Sequence, residues 1–202
     1  MPAFSRARHA GPEAAEADYA AGRFELAREG FAGVVEANRH ELVERPDDVD
    51  AVDRLAAGLN GLGRTLGKLR HFDESTAVLD EALTTSRRGV ELRRAATSGP
   101  HDAALARTLR TFALVRAAAG TELDEAAKAL DDATAVHLAA LAAAPGEEHL
   151  AEAYATELAQ AELLARQGRH VEAARVADLA RSGHLDELLD ILRAQRSGPP
   201  AP

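Results

Sequence analysis

The sequence predicts an all-α protein: about four antiparallel helix hairpins in succession, followed by a short closing helix. Three observations carry that expectation. Alanine and leucine together exceed a third of the 202 residues, and both enter a helix at little free-energy cost. Aromatic residues are only 3% of the chain, and the β-branched side chains that join them in building sheets are also scarce. One short pattern recurs four times: a basic or polar pair, a bulky residue, an acid, then a small residue opening an apolar helix.

The four copies read Gly22-Arg23-Phe24-Glu25-Leu26-Ala27, Arg70-His71-Phe72-Asp73-Glu74-Ser75, Thr121-Glu122-Leu123-Asp124-Glu125-Ala126 and Gly168-Arg169-His170-Val171-Glu172-Ala173. Four residues after the small one comes Phe31, Leu79, Leu130 or Ala177, and three further on Val34, Ala82, Ala133 or Ala180. The small residues lie 48, 51 and 47 positions apart. A near-constant period of this size marks a stacked helical array.

Each element follows in order. Residues 1–10 read as a flexible N-terminus. The first hairpin spans about 11–45, with a short, polar-rich first helix. The second, about 47–97, carries Leu55, Leu59, Leu62, Leu66 and Leu69 at intervals of three and four, one apolar stripe. Asp73 is placed to cap its second helix, which is expected to run to about Ala96 with Ser75, Leu79, Ala82, Leu83, Ser86 and Val90 on one face. The third and fourth hairpins span about 101–144 and 147–181. Pro46-Asp47-Asp48, Ser98-Gly99-Pro100 and Pro145-Gly146 punctuate the joints. A helix over 184–195 would cover the last apolar face, as the end of an array requires, and 196–202 read as a loose tail.

These residues resemble tetratricopeptide repeats, whose pattern has a Leu-Gly pair in helix A, a glycine before the turn, an aromatic, then small and bulky residues in helix B. The second unit matches best, through Leu59, Leu62-Gly63, Leu66, Phe72, Ser75, Leu79 and Ala82. The fourth keeps Leu164, Gly168, Ala173, Ala177 and Ala180; the third has Ala113-Leu114 in place of Leu-Gly; the first keeps Gly22, Phe24, Ala27 and Phe31. The resemblance covers about residues 11–181 and is to the long-repeat form seen in actinobacterial proteins. It implies a right-handed superhelical α-solenoid with a concave groove lined by the A helices, and it places Gly63 where two helices approach closely. The 22 arginines against two lysines, with alanine so abundant, fit a GC-rich genome of that kind.

Composition excludes several chemistries. No cysteine means no disulfide, thiol nucleophile, zinc–thiolate site or iron–sulfur cluster. A net charge of −9 disfavours a nucleic-acid partner, and no helix-turn-helix segment is present. Neither a signal-peptide core nor an eighteen-residue apolar run is found, so a cytoplasmic location is expected. No G-x-S-x-G or P-loop occurs. Of the eight histidines none is paired at metal-binding spacing; His170 holds a turn position usually aromatic, so packing is its expected role. The nearest constellation, Glu148, His149 and Glu152, sits at a helix start where carboxylates are favoured anyway. No catalytic residue, metal or cofactor is therefore expected.

What remains is the groove. Asn60, Arg64 and Lys68 recur every four residues off the leucine stripe and are expected to be exposed. Thr108 and Thr111 on the third unit and Glu162 and Arg166 on the fourth complete the candidate partner-binding face. Arg87, Arg88, Arg93 and Arg94 form a second basic group, read as a solvated helix face with local ion pairs. The expected function is a non-catalytic scaffold or adaptor that binds a peptide or helix of a partner protein, with self-association possible. The alternatives are a regulatory sensor for a small ligand or signalling peptide, and an accessory or unusual enzyme of a biosynthetic pathway, which Tyr19 or Tyr154 beside a histidine in a closed cavity would favour.

Overall fold

The computed structural model describes residues 11–96 and 103–197, with the side chains of 93–96, 103–104, 148 and 194–197 excepted. The expectations for residues 1–10, for the joint at Ser98-Gly99-Pro100, for the Arg93 and Arg94 side chains and for the tail from 198 onward lie outside that description. The described residues form nine α-helices and no strand. They divide between two compact units, residues 1–89 and 90–202.

In the first unit, α1 (Pro12–Ala20) and α2 (Phe24–Glu44) form one hairpin, and α3 (Val49–Lys68) and α4 (Phe72–Ala96), whose residues up to 89 belong to this unit, form the next. Proline at the first helical position suits α1, because its missing N–H has no intrahelical acceptor there. Asp48 caps α3, its carboxylate accepting from the Ala51 N–H at 3.0 Å. Asp73 does not cap α4. The helix begins one residue earlier, at Phe72, so Asp73 lies in its first turn and acts through the helix dipole instead.

The second unit holds α5 (Ala103–Ala119), α6 (Leu123–Ala143), α7 (Glu147–Arg166), α8 (His170–Arg181) and α9 (His184–Ser197). The expected closing helix runs two residues further than its pattern suggested. Its Leu185 and Leu189 pack on Leu141 of α6 and on Leu150 and Ala153 of α7.

The repeated sequence pattern becomes a repeated turn. In every copy the bulky residue — Phe24, Phe72, Leu123 or His170 — is the first residue of a helix. Ahead of it the chain leaves the previous helix through two backbone bonds: Gly22 to Tyr19 and Arg23 to Asp18, Arg70 to Gly67 and His71 to Leu66, Gly120 to Ala117 and Thr121 to Arg116, Gly168 to Ala165 and Arg169 to Leu164. This is the Schellman arrangement, and it needs one left-handed residue. Glycine supplies it three times, at φ 73° to 76°; in the second unit Arg70 supplies it at φ 64°. The small residues four positions into each B helix, Ala27, Ser75, Ala126 and Ala173, are all buried. So are Phe31, Leu79 and Leu130, whereas Ala177 and Val34 are half-buried. His170 is exposed, which corrects its expected packing role: Phe24, Phe72 and Leu123 at the same position are half-buried, and a polar imidazole gains less from burial there than those apolar side chains.

Gly63 does mark a close approach. A Cβ there would lie 2.5 Å from Leu79 Cγ on α4. Beside it the buried Ser75 hydroxyl donates to the Gly63 carbonyl at 2.6 Å, a hydrogen bond from one helix to the backbone of the other. Gly61 serves the neighbouring hairpin in the same way, since a Cβ would meet the Phe31 ring of α2 at 2.4 Å. α3 is therefore held between α2 and α4 by missing side chains.

Candidate functional site, an apolar groove on the first hairpin

Two residues of the candidate partner face are buried, and the exposure expected of Asn60 is corrected. Asn60 is buried at 7% exposure and Thr108 at 2%; both lie on the packed side of their helices. Arg64 is a stitch rather than a free cation. Its guanidinium stacks 4.1 Å from the Tyr19 ring centroid and pairs with Glu16, tying α3 to α1. Lys68 is exposed. Thr111, half-buried, donates to the Arg107 carbonyl at 2.9 Å. Glu162 and Arg166 satisfy each other at 2.8 Å, one turn apart on α7. Of the second basic group, Arg88 binds the Pro46 carbonyl and Asp47, and Arg87 is exposed. Four-residue spacing identified a shared helix face, but which face turned inward depended on neighbours that the spacing does not encode.

The structure offers a different site, in the first unit. A cavity of about 700 Å³ opens over α2, between α1 and α3. Its wall is Leu26, Gly30, Phe31, Gly33, Val34 and Ala37 of α2, with Ala57 and Gly58 of α3 and Gly11 and Pro12 at the start of α1. Leu26 is 52% exposed where it lines the cavity. Gly33 faces open space, with nothing within 4 Å of where a Cβ would be.

The polar groups at the rim are largely committed to one another. Asn38 donates to the Val34 carbonyl at 2.7 Å and accepts from Arg54 Nε at 3.1 Å. Arg54 also pairs with Glu41 at 2.7 Å. Asp18 pairs with Arg23, and Glu16 with Arg64. Glu29 is the one lining charge without an ion-pair partner among the described residues. The site therefore offers apolar contact and one carboxylate. Sequence reasoning passed over it because its residues are small and no spacing in the sequence shows which face of α2 stays uncovered.

The second unit concentrates its titratable groups in two places. His137 on α6 is fully buried, and neither ring nitrogen has a hydrogen-bond partner. Burial pushes its pKa down to about 4, with Arg110, His149 and Arg107 adding to the effect and Glu152 opposing it. Burial raises the Glu152 carboxyl, but Arg110 at 2.7 Å and Arg107 at 2.9 Å outweigh this and hold it below the usual range.

The other place is the α7–α9 junction. Tyr154 donates to Asp186 at 2.8 Å, and the Tyr154 and His184 rings meet edge to face at 6.0 Å. His184 Nδ1 donates to the Leu179 carbonyl at 3.0 Å, and Nε2 lies 3.0 Å from Glu157. That second contact requires a proton between nitrogen and carboxylate. Burial raises the Glu157 pKa, and His184 opposes the rise. Both ring nitrogens are thus engaged within the protein, and these contacts tie α9 to α7 and to the end of α8.

Among the described residues no group of three or more histidine or acidic side chains is placed to hold a metal ion. No helix among them is long and apolar enough to cross a membrane. Comparison with family models, curated proteins and solved structures gave no match to this chain.

Proposed function

We propose that the protein is a non-catalytic interaction module, a helical-repeat scaffold of tetratricopeptide type, whose first-unit groove receives an apolar segment of a partner protein. The four equivalent turns and the buried small residues of the B helices support the repeat reading. The groove supports the binding reading. Its volume falls within the usual range for ligand sites, but its rim offers little uncommitted polarity. A small polar metabolite would gain few hydrogen bonds there, whereas leucine, valine or phenylalanine side chains would gain burial at ~25 cal/mol per Å². That contrast favours a protein segment over a signalling metabolite.

A photo-crosslinking residue at Ala37, in the groove wall, tests this in the native host, with Glu187 on α9 as the control position. The expected result is a discrete protein adduct from position 37 that is absent from position 187 and lost with Gly33→Trp, which fills the groove. Identical adducts from both positions, or a retained small molecule in place of any protein, would refute the proposal.

A further inference from the structure

The α7–α9 junction holds one proton whose place is fixed by hydrogen bonds. His184 Nδ1 lies 3.0 Å from the Leu179 carbonyl. A carbonyl only accepts, so Nδ1 carries a hydrogen. The other ring nitrogen, Nε2, lies 3.0 Å from Glu157 Oε1. A neutral imidazole has a single N–H, here already given to Leu179, so its Nε2 would turn a lone pair toward a carboxylate. The contact attracts with one proton between the two side chains and repels without it.

The surroundings make that proton matter. Glu157 Oε2 is buried and has no hydrogen-bond partner, and the favourable charge acting on an ionised Glu157 is that of His184. Only 16% of the Glu157 side chain and 29% of the His184 side chain reach solvent, so water does little to replace a lost bond. Burial also favours the neutral form of Glu157, which keeps the proton in the pair. Leu179 lies in the last turn of α8, where the helix dipole favours a cation. The other charged groups around α9 are committed elsewhere. On α7, Tyr154 donates to Asp186 at 2.8 Å, and burial and that carboxylate raise its phenol above the usual 10. On α8, Asp178 and Arg181 pair at 2.8 Å. On α6, which meets α9 at Leu141, His137 responds to Glu152, Arg110, His149 and Arg107, none of them on α9. Glu187 and Asp190 of α9 itself are exposed.

We infer that α9 is a proton-dependent clasp, docked on Leu141, Leu150 and Ala153 while His184 and Glu157 share a proton and released as that proton leaves on the alkaline side of neutrality. The sign follows from the open state. A free histidine gives up its proton near pH ~6.5 and a free glutamate near ~4.3. Between those values the open and docked pairs each hold one proton, and docking does not depend on pH. Above about 6.5 the open pair is empty, so docking must take up a proton and weakens as the pH rises. Release bares the apolar surface on α6 and α7 that Leu185 and Leu189 cover, so a histidine would set the exposure of that surface within the physiological range. The clasp does not depend on the groove of the first unit.

Hydrogen–deuterium exchange of the full chain, corrected for the intrinsic pH dependence of amide exchange, reads the opening of α9 with α5 as internal reference. Protection over residues 185–193 is expected to be constant from pH 5 to 6.5 and to fall about fivefold or more by pH 8.5, with α5 unchanged. In Glu157→Gln the amide can donate to the neutral Nε2, and His184→Arg carries its charge throughout, so both variants should keep their pH 5 protection at pH 8.5. Tyr154→Phe removes the other fastener without touching the proton; it should lower protection at every pH and keep the wild-type slope. Wild-type protection that stays flat to pH 8.5, or a fall of wild-type size in both Glu157→Gln and His184→Arg, would overturn the clasp. Equal falls in α9 and α5 would place the pH dependence in the whole unit and overturn it too. Loss of α9 protection at every pH in both pair variants would make the contact a fixed tether and overturn its proton dependence.

Discussion

Two glycine-to-alanine substitutions separate the packing argument from ordinary helix propensity. Either change, in a helix interior, supplies about 1 kcal/mol through propensity alone. At Gly33 of α2 nothing lies within 4 Å of the new methyl, so that gain should appear almost whole. At Gly63 the methyl would sit 2.5 Å from Leu79 Cγ and 2.6 Å from Cδ2, and Leu79 is fully buried. Something must shift. Overpacking of this kind costs ~1–3 kcal/mol, and widening the α3–α4 spacing would also stretch the 2.6 Å Ser75–Gly63 bond, worth ~1 kcal/mol. The balance predicts that Gly63→Ala loses ~1–3 kcal/mol while Gly33→Ala gains ~1. Leu79→Ala alone should lose ~2–5 kcal/mol as a buried truncation. In the double variant the new methyl enters the space that the leucine vacates, so the loss should fall short of the sum by at least ~1 kcal/mol. Urea titrations followed by far-UV circular dichroism read all four stabilities. If Gly63→Ala stabilises as much as Gly33→Ala, or the two changes at 63 and 79 simply add, the close approach of α3 and α4 is not what holds them.

The other predictions rest on single side chains. Arg70 occupies a left-handed turn position where the other three copies have glycine, so Arg70→Gly should raise stability by ~1 kcal/mol; an unchanged melting curve would show that the position is not strained. Arg64→Glu would set an anion against Glu16 and remove the stack on Tyr19, so it should cost ~1–2 kcal/mol, while exposed Lys68→Glu should stay within ~0.5. Equal effects in thermal denaturation would return Arg64 to the solvated face. His137 is held to a pKa of about 4 from an ordinary 6.5, so the unfolded chain binds the extra proton first. Its stability contribution is therefore full above pH 6.5 and falls by up to ~3 kcal/mol as the pH drops toward 4. His137→Leu should flatten that part of the pH–stability curve, and an unaltered slope would mean that other groups produce it.

How much was legible in the sequence differs between fold and site. The helix joints could be read because they are written in local chemistry: Pro46 and Pro145 cannot continue a helix, and Gly22, Gly120 and Gly168 supply a backbone state that other residues avoid. The buried alanines could be read from their period. The groove could not, because it depends on which face of α2 its neighbours leave uncovered. Asn60 shows the limit most plainly. Its type and its distance from the leucine stripe suggest solvent, yet α3 is packed on two sides, so its buried face is wider than one stripe. Arg64 shows the same thing at the edge of that face, where a long side chain lies across an aromatic ring with its charge at the rim.

The placement of α9 bears on where this chain can be lengthened. Leu185 and Leu189 cover an apolar surface on α6 and α7, and Tyr154–Asp186 and Glu157–His184 fasten the helix across it. Extra hairpins grafted after Ser197 would find that surface already taken and would behave as a separate body on a tether. Hairpins inserted between Arg181 and Gly183 would meet it open, but only if their last helix carried the same two leucines and the same polar fasteners to close the new end. The fourteen residues of α9 thus act as a cover for that surface, and the serviceable splice point lies ahead of them, at Gly183, whose φ of 75° turns the backbone into that helix.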